Sequence, residues 1–323
     1  MTSVHRFLLA FRGVATIPPT MPSASAQLAA ADGSVLALAQ PDRAALVVRG
    51  ADRATWLNGL LTCDVTKVKP GAAAYGLAVT QKGRVLADLV VLVAEDSVLL
   101  SVPASSRADL LVHFQKYLIM EDAEIAPSEE SFFAAHGPKA SDLAARPEIR
   151  AVAAAYELDV TGRGGVVLVA PPGSSDAVAA ELARAAEALG GAFGDGAGWE
   201  AVRLERSVPA FGADFDGSTY PQEASLERRA VSFDKGCYLG QEVVCMLEMR
   251  GHVKRKLVPL EVDGAATAGA PVTDASGVEL GKVTSAYVRE DGAHARALAM
   301  VKLSHTTAGA ELRVGAHAAR VVA

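Results

Sequence analysis

Cysteine is scarce in this chain: there are three in 323 residues, Cys63, Cys237 and Cys245. An odd number without C-x-x-C spacing excludes a disulfide scaffold and a zinc knuckle. It leaves reduced thiols as the expectation, and no metal site. Aromatic side chains make up only 5% of the residues, so a large stacking platform for nucleic acid is missing. Excess basic charge is missing too, at a net charge of -6 and a pI near 5.7. Binding to nucleic acid draws mainly on phosphate neutralisation by Lys and Arg, so no direct nucleic-acid partner is expected. The one dense basic run, Arg250 to Lys256 with His252, Lys254 and Arg255, reads as a solvated loop between two elements. Long apolar runs are also absent. The stretch Leu89–Ala94 is bounded by Asp88 and by Glu95-Asp96, too short to span a bilayer, and no membrane partner is expected.

What is present is a globular composition, with half of the residues hydrophobic and 21% charged. The length accommodates two or three domains. Residues 1–31 contain no Asp or Glu and read as a disordered leader, set apart from the fold. Their transit-peptide-like composition makes a mitochondrial matrix location the alternative to a cytoplasmic one.

From Ser34 the pattern becomes regular. "VLAL" and "AALVVRG" read as strands, and Asp52 is a candidate N-cap for the short helix "RATWLNGLL". "AAAYGLAVT" and "RVLADLVVLVA" flank a hairpin turn at Gln81-Lys82-Gly83. After the strand "SVLLSV", Pro103 opens a helix to about Tyr117. A second, weakly similar unit follows: "SFFAAHG" ends at Gly137 as "ALVVRG" ends at Gly50. The segment "SSDAVAAELARAAEALGG" is a helix with Ser N-cap candidates and a Gly stop. Strands and helices mix without strict alternation, which argues for α+β rather than a doubly wound parallel sheet. After Lys256 the texture changes to short strands separated by Gly and Asp turns, a small antiparallel barrel or sandwich. The expected division is 32–127 and 128–253 for the two α+β units and 254–323 for the C-terminal unit.

The chemistry concentrates around "DKGCYLGQE", residues 234–242. Gly236 and Gly240 free the backbone, and Gln241-Glu242 begin a helix closed by Gly251. A thiol beside Lys235 and close to a helix N-terminus favours its thiolate, the reactive form. Cys245, among Val243, Val244 and Met246, reads as inert core. For Cys237 the residues alone leave a reactive and a structural reading equally open.

"KGCYLGQE" resembles the signature of the YgfZ folate-binding family, relatives of the aminomethyltransferase (T-protein) of the glycine cleavage system. The resemblance covers most of the chain from about Ser34. It includes "VVRGADRATWLNGLLTCDV", "YGLAVTQKGRVLADL" and "GWEAVRLERSVPAFGADFDGSTYPQEASLERRAVSFDKGCYLGQE". It implies a cloverleaf of two ferredoxin-like α+β units and a C-terminal antiparallel β-barrel around a central hole that holds tetrahydrofolate. By that resemblance Glu205 matches the carboxylate on the pterin, as suits a ring edge with adjacent N–H donors. Tyr75 matches an aromatic position of the pocket, and Pro221 and Glu223 a loop near it. Lys235 would meet the glutamate tail, with Gln241 and Glu242 at the same site.

T-proteins usually lack the cysteine and glutamine of this segment, so Cys237 and Gln241 point to the YgfZ branch. T-proteins carry paired acids in G-G-x-x-D-D-L, where this chain keeps Asp88 and has Ala87. Asp88 would act as a base or orient the folate. Met246 stands where the family often has Arg. The family resemblance implies a tetrahydrofolate-binding accessory factor in assembly or repair of iron–sulfur enzymes, including enzymes that modify tRNA, with Cys237 working beside the folate. The alternatives are a folate-dependent aminomethyl or demethylating transferase, and a scaffold without folate.

Overall fold

The computed structural model describes residues 21–251 and 253–322. Two five-stranded sheets lie face to face, and a closed six-stranded barrel follows. The first sheet runs Ala73–Val79, Val85–Val93, Val98–Pro103, Arg43–Arg49 and Glu124–Ser128, antiparallel throughout. The second runs Ala192–Gly194, Leu36–Ala39, Ser131–His136, Gly165–Ala170 and Ala154–Glu157, with only the first pair parallel.

Side-chain alternation along each strand sets the layers. In the first sheet Leu46, Val48, Leu89, Val91 and Leu100 face outward, onto Trp56, Leu57, Leu110 and Phe114 of two covering helices. In the second, Val35, Ala37, Phe133 and Ala135 face Leu143, Val178 and Leu182 of theirs. Of the residues in between, Leu36, Leu38 and Ala134 pack on Ala31 and Val202 of two other helices, and Leu77, Val79 and Val85 on Phe215, Leu226 and Tyr238. Others face the opposite sheet. Ala45, Val47, Leu92 and Leu99 meet Phe132, Tyr156, Val167 and Val169 in a shared apolar layer.

The division at residue 127/128 does not separate the sheets. Leu36–Ala39 belongs to the second, between the strands Ser131–His136 and Ala192–Gly194. Its burial on both sides requires that central position, since an edge would leave one row of backbone groups unpaired. The similarity of Gly50 and Gly137 is a backbone fact. Both end a strand at positive φ, +103° and +124°, and a Cβ would fall 2.2 Å from the Asp122 carbonyl oxygen and 2.5 Å from that of Ala31.

The leader also needs correction. Residues 1–20 lie outside the described residues, but Ala24–Gly33 is a helix. Ser23 caps it, its Oγ accepting from the Ala26 amide, and Gln27 is fully buried. The Gln27 amide donates to Pro22 and Asp195 and accepts from the Asp195 N–H. Gly194 and Gly198 make room for it. That tertiary seat stabilises a ten-residue helix that would be marginal alone. Asp52 begins its helix without capping it, because its carboxylate instead accepts from the Asp122 N–H.

The barrel orders its strands Arg255–Val262, Ala295–Lys302, Glu279–Val288, Pro271–Thr273, Glu311–Val314 and His317–Val321. The helix Gly196–Glu205 fastens it to the sheets. Arg203 is 1% exposed and donates to Glu200, to Asp214 and to Ser285 of the barrel. Asp214 also accepts from Thr284 of the barrel and from the Ala210 N–H. Removing one partner of such a buried pair leaves an uncompensated charge. Asp214→Ala is therefore expected to lower stability by about 3–5 kcal/mol in urea unfolding at neutral pH. A loss below about 1 kcal/mol would show that the barrel docks without it.

Candidate functional site

The apolar layer between the sheets does not reach both ends of the strands. Along Val85–Val93 the inward positions read Leu92, Val90, Asp88, and along Ser131–His136 they read Phe132, Ala134, His136. Where they turn polar, the sheets enclose a cavity of about 570 Å³. Val90 and Ala134 line it with Asp88 and His136. The loops Leu158–Gly162 and Val208–Phe211, the Trp199 ring, and Leu226 with Arg228 and Arg229 complete it. Such a volume suits a small organic ligand.

On the first sheet Asp88 is 8% exposed and held on both oxygens. Arg43 Nη1 donates to Oδ1 at 2.8 Å, and the Tyr75 hydroxyl to Oδ2 at 3.1 Å. Arg43 is fixed in turn by donating to the Ser101 carbonyl and hydroxyl, at 2.6 and 3.2 Å. Burial, and then the Asp88 charge, hold the Tyr75 phenol well above its ordinary range, so it stays a donor. Ala87 faces the other way, into the core under the helices. The acid that the resemblance has at that position is therefore not a group lost from this cavity wall.

On the second sheet His136 is 5% exposed and stacks on Trp199, with ring centroids 4.6 Å apart and planes 17° from parallel. Neither ring nitrogen has a hydrogen-bond partner among the described residues. Burial drives its pKa down to about 4, only partly opposed by Asp159, so the imidazole is neutral. Sequence reading missed His136. The signal was the period-two pattern Phe132, Ala134, His136, which sends the histidine to the face of its apolar neighbours.

The other expected site residues lie elsewhere. Glu205 does not line the cavity. Its carboxylate accepts from Arg289 at 2.7 Å and Arg296 at 3.3 Å, and Glu261 completes this group on the barrel. The helical period explains this: six residues beyond Trp199 is about 240° around the axis, off the cavity face. The arginines keep the Glu205 carboxyl below its ordinary range against its partial burial. Glu223 is buried, but accepts from the Tyr220 N–H and from Arg255, joining the loop to the barrel.

Lys235 is a clamp rather than a cavity cation. Its ammonium donates to the carbonyls of Asn58, Leu61 and Cys63 at 2.6–2.8 Å and lies 5.0 Å from the Tyr238 ring centroid. Burial pulls its pKa down to about 8. All three of its protons are directed at carbonyls, and none at Cys237. Cys237 is exposed and outside the cavity lining. It precedes the helix Gln241–Arg250, whose Gly240 and Val243 pack on the hairpin Thr80–Gly83. Gln241 is half-buried and Glu242 exposed, both outside the lining. Cys245 is half-buried rather than part of a core, and burial pushes its thiol up.

No group of three or more potential metal ligands occurs among the described residues, nor any helix long and apolar enough to cross a membrane.

This fold is shared with a solved aminomethyltransferase. The aminomethyltransferase T of Bartonella henselae superposes with a TM-score of 0.79 at 20% identity, over 94% of this chain and 90% of that one. The chain belongs to the family described as the GCVT N-terminal domain, matched over residues 40–235, and continues at 254–323 as a CAF17 C-terminal beta-barrel domain. It is 26% identical over 253 residues to the tRNA-modifying protein YgfZ of Sodalis glossinidius, covering 74% of each chain. It is also 29% identical over 254 residues to an aminomethyltransferase of Rubrobacter xylanophilus, covering 73% of this chain and 68% of that one.

His136 also carries a pH dependence. The unfolded imidazole titrates near 6.5 and the buried one near 4, so between these values the unfolded chain binds a proton that the native state refuses. Stability is complete above about pH 6.5 and falls with acidification, by about 3 kcal/mol once pH 4 is passed. Urea unfolding at pH 7 and pH 4.5 is expected to show most of this loss in the parent and not in His136→Phe. Equal acid slopes would show that the ring protonates freely in the folded protein.

Proposed function

We propose that the protein binds tetrahydrofolate, or a one-carbon derivative of it, in the cavity between the sheets. On this reading it serves as an accessory factor in the assembly or repair of iron–sulfur enzymes. The observation that carries the binding is the Arg43–Asp88–Tyr75 cluster on the cavity wall of a chain in the GCVT family. With Glu205 engaged by the barrel, Asp88 becomes the carboxylate for the pterin. A carboxylate has about four acceptor sites, and Arg43 and Tyr75 take only two, so it can still accept from the ring N–H groups. Arg228 and Arg229, exposed at the cavity border, suit the carboxylates of the glutamate tail.

The relatives' description as tRNA-modifying fits an indirect link, through client enzymes that act on tRNA. A chain of net charge -6 has no basic surplus for the nucleic acid itself. Cys237, set at the surface, would meet such a partner rather than the folate. Aminomethyl transfer is the second reading, favoured by the shared fold and the Rubrobacter relative. Against it, Asp88 is held by Arg43 and Tyr75, which suits an anchor better than a base.

Calorimetric titration of the parent with tetrahydrofolate is expected to give one site per chain. Asp88→Ala, which strands Arg43 and Tyr75, should weaken it at least tenfold. No heat of binding in the parent would end the folate reading, and release of ammonia or a methylene product from an aminomethyl donor would favour the transferase. Cys237→Ser is expected to fold and bind folate as the parent does, yet fail to restore iron–sulfur enzyme activity in cells lacking the native copy. Full restoration would remove the thiol from the mechanism.

A further inference from the structure

Among the described residues, His136 combines nearly complete burial, a place on the cavity wall and two ring nitrogens without a partner. Buried polar groups are nearly always satisfied, and each one left unmade costs about 1–3 kcal/mol. Nothing in the local packing requires an imidazole here. Trp199 stacks on the ring face and would stack equally well on a phenyl. The residue is the polar end of the inward row on the second sheet, as Asp88 is on the first.

We propose that His136 is a ligand-reading residue, whose neutral imidazole hydrogen-bonds an uncharged polar edge of the molecule held between the sheets. This rests on the folate reading for the identity of that molecule and goes beyond it in naming the second wall's contact. The division of labour follows from charge. Asp88 accepts only, so it selects N–H donors. A neutral imidazole has one donor and one acceptor and carries no charge, so it suits a ring carbonyl or ring nitrogen and gives no advantage to a carboxylate or phosphate. Trp199 holds the plane of the ring, which gives the contact direction. A heterocycle wedged between the sheets is thereby gripped from both, by a carboxylate on one wall and an imidazole on the other.

Two substitutions separate this from a packing role. His136→Phe keeps the stack and removes both nitrogens, while His136→Gln gives up the stack and restores a donor and an acceptor. Titrated with tetrahydrofolate, the Phe variant is expected to bind about tenfold more weakly than the parent, the loss of one buried hydrogen bond. Its unliganded stability at pH 7 should match or exceed the parent's, because an unpartnered polar group has been replaced by an apolar one of similar shape. The Gln variant should unfold more readily and yet bind more tightly than the Phe variant. A packing role would give the opposite order in affinity.

If the parent binds and the Phe variant binds equally well, His136 has no such role and the folate reading stands. If the parent does not bind, both fall. Should the Phe variant not fold, the parent labelled with 15N-histidine decides. The His136 ring signal, assigned by its absence in the Gln variant, must shift on adding tetrahydrofolate, and an unmoved signal overturns the proposal.

Discussion

Everything in the two-sheet body depends on where the shared apolar layer stops. Ala45, Val47, Leu92 and Leu99 close on Phe132, Tyr156, Val167 and Val169, and the sheets touch there. Four residues further along the same faces, past Val90 and Ala134, stand Asp88 and His136, and the sheets part around a cavity. The period of two that seals one end is thus the period that furnishes the other. A one-residue slip would turn Asp88 of the one strand, or His136 of the other, under the helices and bring Ala87 or Ala135 to the wall.

The polar groups on the two walls differ in kind because their surroundings differ. Asp88 is paired in its buried position with Arg43, itself fixed on Ser101. His136 has no such partner, and burial leaves it neutral. A cavity with one charged acceptor and one neutral donor–acceptor has a sense of direction, which a uniformly polar cavity would lack.

Among the described residues none of the barrel lines the cavity. Its attachment absorbs two charged residues of the helix Gly196–Glu205: Arg203 with Asp214 and Ser285, and Glu205 with Arg289 and Arg296. The same helix carries Trp199 to the cavity. One helix therefore sets the position of the barrel with one face and the aromatic wall of the site with another. A disturbance of the barrel contact would reach the cavity through it.

The sequence by itself determined the α+β class, the hairpin at Gln81–Gly83, the strand-ending glycines at 50 and 137 and an antiparallel C-terminal unit, barrel or sandwich, because turn chemistry and hydrophobic period are local. The family resemblance pointed to Tyr75 and Asp88, which the sheet register brings within hydrogen-bond distance across neighbouring strands. Only the tertiary structure decided the rest. That Leu36–Ala39 joins the second sheet, that Lys235 spends its protons on three carbonyls, and that Glu205 belongs to the barrel all turn on partners over 80 residues distant in the chain. The same holds for His136, whose meaning lies in what fails to reach it. A motif records which side chains are available, but the direction in which each one points is set by packing between segments that share no local sequence.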